Sequence, residues 1–315
     1  MEYRMLGKTG LQVSRIGFGV LTMGKSQLNL DLNEGANILK HAMSQGINFI
    51  DTAQYYETYE YIDEAIKGTN HHPIICSKCL EWTYSDMDNA INEALRKLHR
   101  DYIDIFLMHE VRPHELRNGA WDCLMDAKKD GRVKAAGIST HHIDVLDEYI
   151  DKPGMDVVFP LINFAGMGIR KGSNPGTKEE MMEVMKRAHE KGLGVFAMKV
   201  FGGGPLVEHY VEAMDFVFNM PYVDSVMMGF GKCEEVDKAI CYIDKTLPRD
   251  YVPDVSKKRT YIEPGNCEGC GTCVKRCPNH AMYLGDDGLA HVNHDSCLTC
   301  GYCAPVCPVR AIILL

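Results

Sequence analysis

Eight of the 13 cysteines fall in one run that the chain writes twice: Cys267-x-x-Cys270-x-x-Cys273-x-x-x-Cys277-Pro278, and thirty residues later Cys297-x-x-Cys300-x-x-Cys303-x-x-x-Cys307-Pro308. Three closely spaced thiolates wrap one corner of an iron–sulfur cubane. The fourth, carried away along a proline-redirected chain, reaches the other cubane instead. The spacing assigns Cys267, Cys270, Cys273 and Cys307 to one cluster and Cys277, Cys297, Cys300 and Cys303 to its partner. Gly269, Gly271 and Gly301 suit tight bends whose backbone N–H groups point at sulfide. Zinc usually takes two paired CxxC pieces rather than a triple run, and disulfides require an oxidising compartment.

The stretch from Tyr261 to Arg310 resembles bacterial ferredoxins carrying two [4Fe–4S] clusters. The resemblance implies a small α+β electron-transfer domain over 261–315. Such a module needs roughly a fifth of 315 residues, which leaves enough chain for one large domain with its own core. The net charge of −9 provides no basic stripe, so nucleic acid and anionic membrane are not expected partners. No apolar run approaches the roughly 20 residues that span a bilayer, and the first residues open no signal peptide. A cytoplasmic, oxygen-poor setting is expected, with Cys76, Cys79, Cys123, Cys233 and Cys241 as reduced thiols.

From Ser14 to about Asp244, short β-branched apolar runs alternate with helical patterns. The strand-like runs are Arg15–Val20, Asn48–Thr52, Pro73–Ser77, Ile103–Met108, Val133–Ile138, Asp156–Leu161, Gly194–Met198 and Ser225–Met228. Eight strand–helix units predict an α/β fold, a (β/α)₈ TIM barrel over 1–246. Ser85 is the expected cap of a helix facing inward through Ala90, Ile91, Ala94, Leu95 and Leu98. Thr177 with Glu180 reads as a capping box, and the Met-rich stripes read as core. Ahead of the first unit, Tyr3–Leu6 and Leu11–Val13 flank a glycine-rich turn, which predicts an N-terminal β-hairpin plugging the barrel's N-terminal face. Periodicity lapses across 247–260, the expected linker.

Barrels of this kind place reacting groups at the C-terminal ends of strands. Asp51, Tyr56, Lys78 and His109 stand at such ends or just beyond them. With Phe49–Tyr56, Cys76–Lys78, Leu107–His109 and Gly137–Ser139 on the page, the region Tyr3–Asp244 resembles an aldo-keto reductase, and the family's catalytic tetrad falls on those four residues. Tyr56 is preferred to Tyr55 because the family's tyrosine lies five positions after its aspartate. A carbonyl that accepts hydride needs a proton on oxygen. Tyr56 would donate it, Lys78 would lower the phenol's pKa, Asp51 would orient Lys78, and His109 would hold the oxygen or relay the proton.

The resemblance also implies a nicotinamide site, NADPH or NADH, drawn from Gly19, Ser139, Thr140, Met198, Lys199, Phe201, Gly203, Gly229 and Lys232. The run Phe201–Leu206 lies where the family grips pyrophosphate. Several positions depart from the pattern. Thr140 replaces an asparagine, Phe159 a glutamine and Met198 an aromatic, and Glu234-Glu235-Val236 lacks the basic residue that holds a 2′-phosphate. Cys76-x-x-Cys79 brackets Lys78 and reads either as packing or as a redox dithiol.

The expected activity is reduction of a small-molecule carbonyl, with a ferredoxin- or flavin-type electron-transfer partner. The alternative is an electron-transfer subunit whose barrel is a docking platform with an idle tetrad.

Overall fold

The computed structural model describes every residue except 26, 114–116, 255–258, 278, 298–301, 305 and 315. Cys300, Pro278 and Gly301 therefore lie outside the described residues. The chain opens with β1 (Tyr3–Met5) and β2 (Gln12–Ser14), an antiparallel hairpin. The barrel strands β3 (Ile16–Gly19), β4 (Phe49–Asp51), β5 (Ile74–Cys79), β6 (Ile103–Met108), β7 (Val133–Thr140) and β8 (Val157–Pro160) follow. A short surface ribbon, β9 (Arg170–Lys171) with β10 (Asn174–Pro175), interrupts the rhythm before β11 (Gly194–Ala197) and β12 (Ser225–Gly229) complete the ring. All eight barrel strands are parallel, and β12 closes on β3.

Between them run α1 (Leu32–Ser44), α2 (Tyr59–Ile66), α3 (Tyr84–Lys97), α4 (Asn118–Asp130), α5 (Ile143–Tyr149), α6 (Lys178–Glu190), α7 (Tyr210–Phe218) and α8 (Cys233–Ile243). Strand alternation sorts the side chains into two cores. Along β6, Ile105 and Leu107 point into the barrel, where they meet Phe49, Cys76, Phe159, Phe196 and Met227. Phe106 and Met108 point outward to the helices. Leu6 and Val13 of the hairpin are fully buried in the inner core.

Local chemistry explains the helix starts. The helix expected to begin at Ser85 begins at Tyr84 and is capped instead by Thr83, whose Oγ1 accepts from the Asp86 N–H at 3.2 Å. Two hydroxyls competed for that end, and Thr83, extended just ahead of the first helical residue, took it. Thr177 and Glu180 do form a reciprocal capping box on α6.

Beyond the barrel, Leu247 and Tyr251 pack on the helix layer. The final module pairs β13 (Thr260–Ile262) with β16 (Ile312–Leu314), and β14 (Met282–Leu284) with β15 (Ala290–Val292), around the short helix α9 (Thr272–Arg276). Its small core is built largely from cysteines and short side chains: Cys273, Cys303, Ala290, Ala304, Met282 and Ile312.

Candidate active site and cluster module

The barrel's stagger builds the first site. Asp51 is in register with Cys76, so Lys78, two residues on and on the same face, stands one step higher. Lys78 is in register with Leu107, so His109 repeats the step on the next strand. Tyr56 arrives from a single 3₁₀ turn, Gln54–Tyr56, immediately after β4. The four side chains are all nearly buried: Lys78 is 1% exposed, Asp51 5%, His109 7% and Tyr56 9%.

Lys78 Nζ donates to Asp51 Oδ1 and to the Thr52 carbonyl, each at 2.7 Å. It also lies 4.9 Å from the Tyr56 ring centre and 5.5 Å from that of Phe159. The Tyr56 hydroxyl sits 3.3 Å from His109 Nε2. The lysine therefore meets the face of the phenol, with its protons committed to a carboxylate and a carbonyl.

This arrangement alters the expected electrostatics. Burial, reinforced by Tyr55, Asp51, Glu263 and Glu110, pushes the Tyr56 phenol well above its usual range, opposite to the lowering expected from Lys78 alone. Burial, then the positive charges of Lys78, His141, Arg117 and Lys199, holds His109 well below the usual imidazole range. His109 is thus neutral and Tyr56 protonated at ordinary pH. Burial also raises Asp51, against the pull of Lys78 and a hydrogen bond from Cys76. Cys76 faces the inner core and Cys79 the outer one, because three residues along a strand is an odd step, so the two thiols cannot pair as a dithiol.

The second site is a ring of thiols. Cys267, Cys270, Cys273 and Cys307 line one pocket, with Ile262, Ala290, Val309, Ala311 and Ile312 as its apolar wall. This is the set that the crossing pattern assigns to one cubane. Backbone N–H groups already point at sulfur: Ala290 to Cys267 at 3.3 Å, Ala311 to Cys307 at 3.3 Å, and Ala281 to Cys277 at 3.2 Å. The donors on Cys277 and Cys307 both come from four residues downstream, so the two halves of the module repeat each other. Gly269 turns with a φ of 65°, and any side chain there would strike the Gly288 carbonyl. Of the second set, Cys277, Cys297 and Cys303 are described; Cys297 Sγ lies 3.6 Å from Thr260 Oγ1.

The two sites meet through Gln27, Glu263 and Arg310, which no motif marked, together with Tyr55 and Lys199. Gln27 Nε2 donates to Glu263 Oε2 at 3.3 Å, and Glu263 is 1% exposed at the barrel mouth. Tyr55 packs against Tyr56 and His109, with ring centres 4.7 and 5.4 Å away, and its hydroxyl lies against Gly265. Arg310, also 1% exposed, donates to the Ala304 carbonyl within the module and to the Gly202 carbonyl of the barrel at 2.5 Å. Lys199 donates to the Arg310 carbonyl at 3.5 Å. Burial lowers Lys199, opposed by Glu110 and Glu263. A glutamate before the first cysteine and an arginine after the last carry no sequence signature for such contacts.

The residues expected to hold a nicotinamide cofactor are spread around this mouth. Gly19 ends β3 beside Asp51 and Gly229. Ser139 Oγ accepts from the Glu110 N–H at 2.9 Å, and Thr140 Oγ1 donates to the Val111 carbonyl at 2.7 Å while accepting from His142 N at 3.0 Å. Met198 bridges to Leu161. Phe201 stacks on Tyr210, with ring centres 4.9 Å apart. Lys232 precedes α8 and is exposed. Gly203 faces Ile312 and Ile313 of the module.

Two families of known proteins match different parts of the chain. Residues 15–216 match the aldo/keto reductase family, and residues 260–315 match the 4Fe-4S dicluster domain. L-galactose dehydrogenase of Arabidopsis thaliana is 24% identical over 66% of this chain and 68% of its own length. Methylglyoxal reductase DkgA of Escherichia coli is 30% identical over 44% of this chain and 52% of its own. Among the first relatives, matched segments span 53% to 68% of the relative's length. A putative aldo-keto reductase from Pseudomonas aeruginosa superposes with a TM-score of 0.67 at 21% identity, covering 78% of this chain and 96% of that one. The holo form of AKR11C1 from Bacillus halodurans gives 0.66 at 19% identity, covering 81% and 98%.

Proposed function

The chain belongs to the aldo/keto reductase family, and from that premise we propose that it reduces a carbonyl or similarly polarised small molecule, with Tyr56 as the proton donor. The observation that carries the reading is the buried contact of the Tyr56 hydroxyl with His109 Nε2 at 3.3 Å, backed by the Lys78–Asp51 pair at 2.7 Å. Relatives named as methylglyoxal reductase and aldehyde reductase support the carbonyl class.

The chemistry follows from the protonation states. A phenol held above its usual range is always loaded as an acid, and it yields its proton only to a stronger base such as a developing alkoxide. A neutral His109 can donate to the same oxygen from one ring nitrogen and so fix its position. Lys78 places a positive charge beneath the reacting oxygen, and Asp51 keeps that ammonium in place.

Two cubanes, held by Cys267, Cys270, Cys273 and Cys307 and by Cys277, Cys297, Cys300 and Cys303, supply electrons singly when bound. The corresponding partner is a ferredoxin- or flavin-type one-electron carrier. Tyr56→Phe tests the reading. Turnover with a reduced viologen as electron donor should fall by about 10²–10⁴-fold, with cluster content and melting temperature unchanged. Retained turnover would remove Tyr56 from the role of acid.

A further inference from the structure

We infer that the iron–sulfur module stands where a nicotinamide dinucleotide would lie, so that this barrel binds neither NADH nor NADPH and its tetrad is fed from the side of the thiol-lined pocket. The inference deepens the reductase reading, since it names the electron source of the same site.

Three separate parts of the nucleotide path are filled by the chain itself. The first is the glycine loop after β11, where pyrophosphate would need free backbone N–H groups and open space above them. The Arg310 guanidinium bonds the Gly202 carbonyl at 2.5 Å. The space above Gly203 is closed by Ile313 Cγ2 at 3.1 Å and the Ile312 carbonyl at 3.5 Å from where a Cβ would stand. The loop's own amides turn inward, Gly202 N–H to the Lys199 carbonyl at 2.8 Å and Gly204 N–H to the Phe201 carbonyl at 2.9 Å. Across the groove, a side chain at Gly168 would collide with Arg310 Cγ, so the arginine lies in a channel bounded by both loops.

The second part is the loop after β12, where the adenosine phosphate would sit at the start of α8. The Gly231 N–H there is taken by the Glu235 carboxylate at 2.8 Å. A carboxylate at a helix N-terminus answers the need that a phosphate would meet, and it repels a second anion. The third part is the carboxamide end. Thr140 spends its hydroxyl as both donor and acceptor within the barrel, and Phe159 stacks on Phe196 with ring centres 4.3 Å apart, beneath Lys78. No amide remains at that position to read a carboxamide.

What covers the loops is also what brings the thiols near. The segments that touch the barrel, Glu263 to Glu268 and Val309 to Ile313, include five residues of the pocket wall: Cys267, Glu268, Val309, Ala311 and Ile312. Displacing the module to admit a nucleotide would strip the Gly202 carbonyl and the Glu263 carboxylate of their partners.

Without hydride, carbonyl reduction balances as follows. A reduced one-electron carrier of the ferredoxin or flavin-protein class is oxidised twice. The substrate loses its C=O π bond, its oxygen takes the Tyr56 proton and its carbon a second proton from water. Tyr56 is then reprotonated from solvent.

Calorimetric titration of the full chain, prepared without oxygen and with iron and sulfide content verified, tests the inference. Neither NADH nor NADPH should give saturable heat up to about 1 mM, the top of the usual range for enzyme substrates. Neither should bleach the cluster absorbance, whereas titanium(III) citrate should. Stoichiometric binding of either nucleotide below that concentration, or bleaching by either, overturns it. The outcome is independent of the Tyr56→Phe assay with viologen, so a failure of the reductase reading and a failure of this one are told apart.

Discussion

The barrel is closed at both ends by parts of its own chain, and the two closures are chemically opposite. At the N-terminal end the hairpin inserts Leu6 and Val13, fully buried, among Phe49, Leu107 and Phe196. At the C-terminal end the cover is polar: Glu263, Arg310, Gln27 and Lys199 meet above Tyr55, Tyr56 and His109. An apolar plug contributes through area removed from water and asks nothing of its neighbours. A lid of buried charges is costly unless each group finds its partner, and it is worth keeping only where it controls a reaction. The contrast separates the end that maintains the fold from the end that performs chemistry.

The largest test of that contrast is Lys78→Met. It leaves Asp51 buried without its ammonium, and removal of one partner from such a pair costs about 3–5 kcal/mol. Turnover should vanish as well. Burial already raises the Asp51 carboxyl, and loss of Lys78 raises it further. The folded state then binds a proton that the unfolded state has released, so the deficit is greatest above the usual carboxylate range and shrinks as pH falls. Thermal melts of wild type and variant from neutral to acid pH measure this, and a deficit that grows on acidification would refute it.

Leu6→Ala probes the other closure. It should cost about 2–5 kcal/mol of stability, from lost transfer energy and a cavity, while turnover per folded molecule stays near that of the wild type. A fall in turnover as large as that of Lys78→Met would erase the distinction between the two ends.

The smallest effect lies outside both closures. The Glu180 carboxylate of the α6 capping box is held down to about 2 by Lys171 and by the hydroxyl and N–H of Thr177. A depressed carboxylate stabilises the fold above its unfolded pKa, and the benefit fades as pH drops through the folded one. Glu180→Gln should therefore flatten the acid side of the stability curve from about pH 4.5 to 2 without touching activity. Unchanged curvature would mean that the cap is present in the structure but energetically idle.

The contrast also indicates what could be read in advance. The eight strands, the hairpin and the box at Thr177 are products of local alternation and spacing, which a linear text carries. Asp51, Lys78 and His109 were legible for the same reason, because parity along neighbouring strands decides which residues share a face. The start of α3 was not, since Thr83 and Ser85 offer the same hydroxyl and only the position of the Asp86 N–H chose between them. The way Lys78 approaches Tyr56 was also hidden. It depends on whether the ammonium meets the hydroxyl or the ring, a matter of a few ångströms.

The order of residues alone determined that one cysteine run is written twice and that eight strand–helix units close into a ring with polar tips at one end, because both follow from short-range spacing. Only the tertiary structure decided that Arg310 and Glu263 would close that end. Their partners, Gly202 and Gln27, lie more than a hundred residues away, and contacts at such separations leave no periodic trace in the sequence.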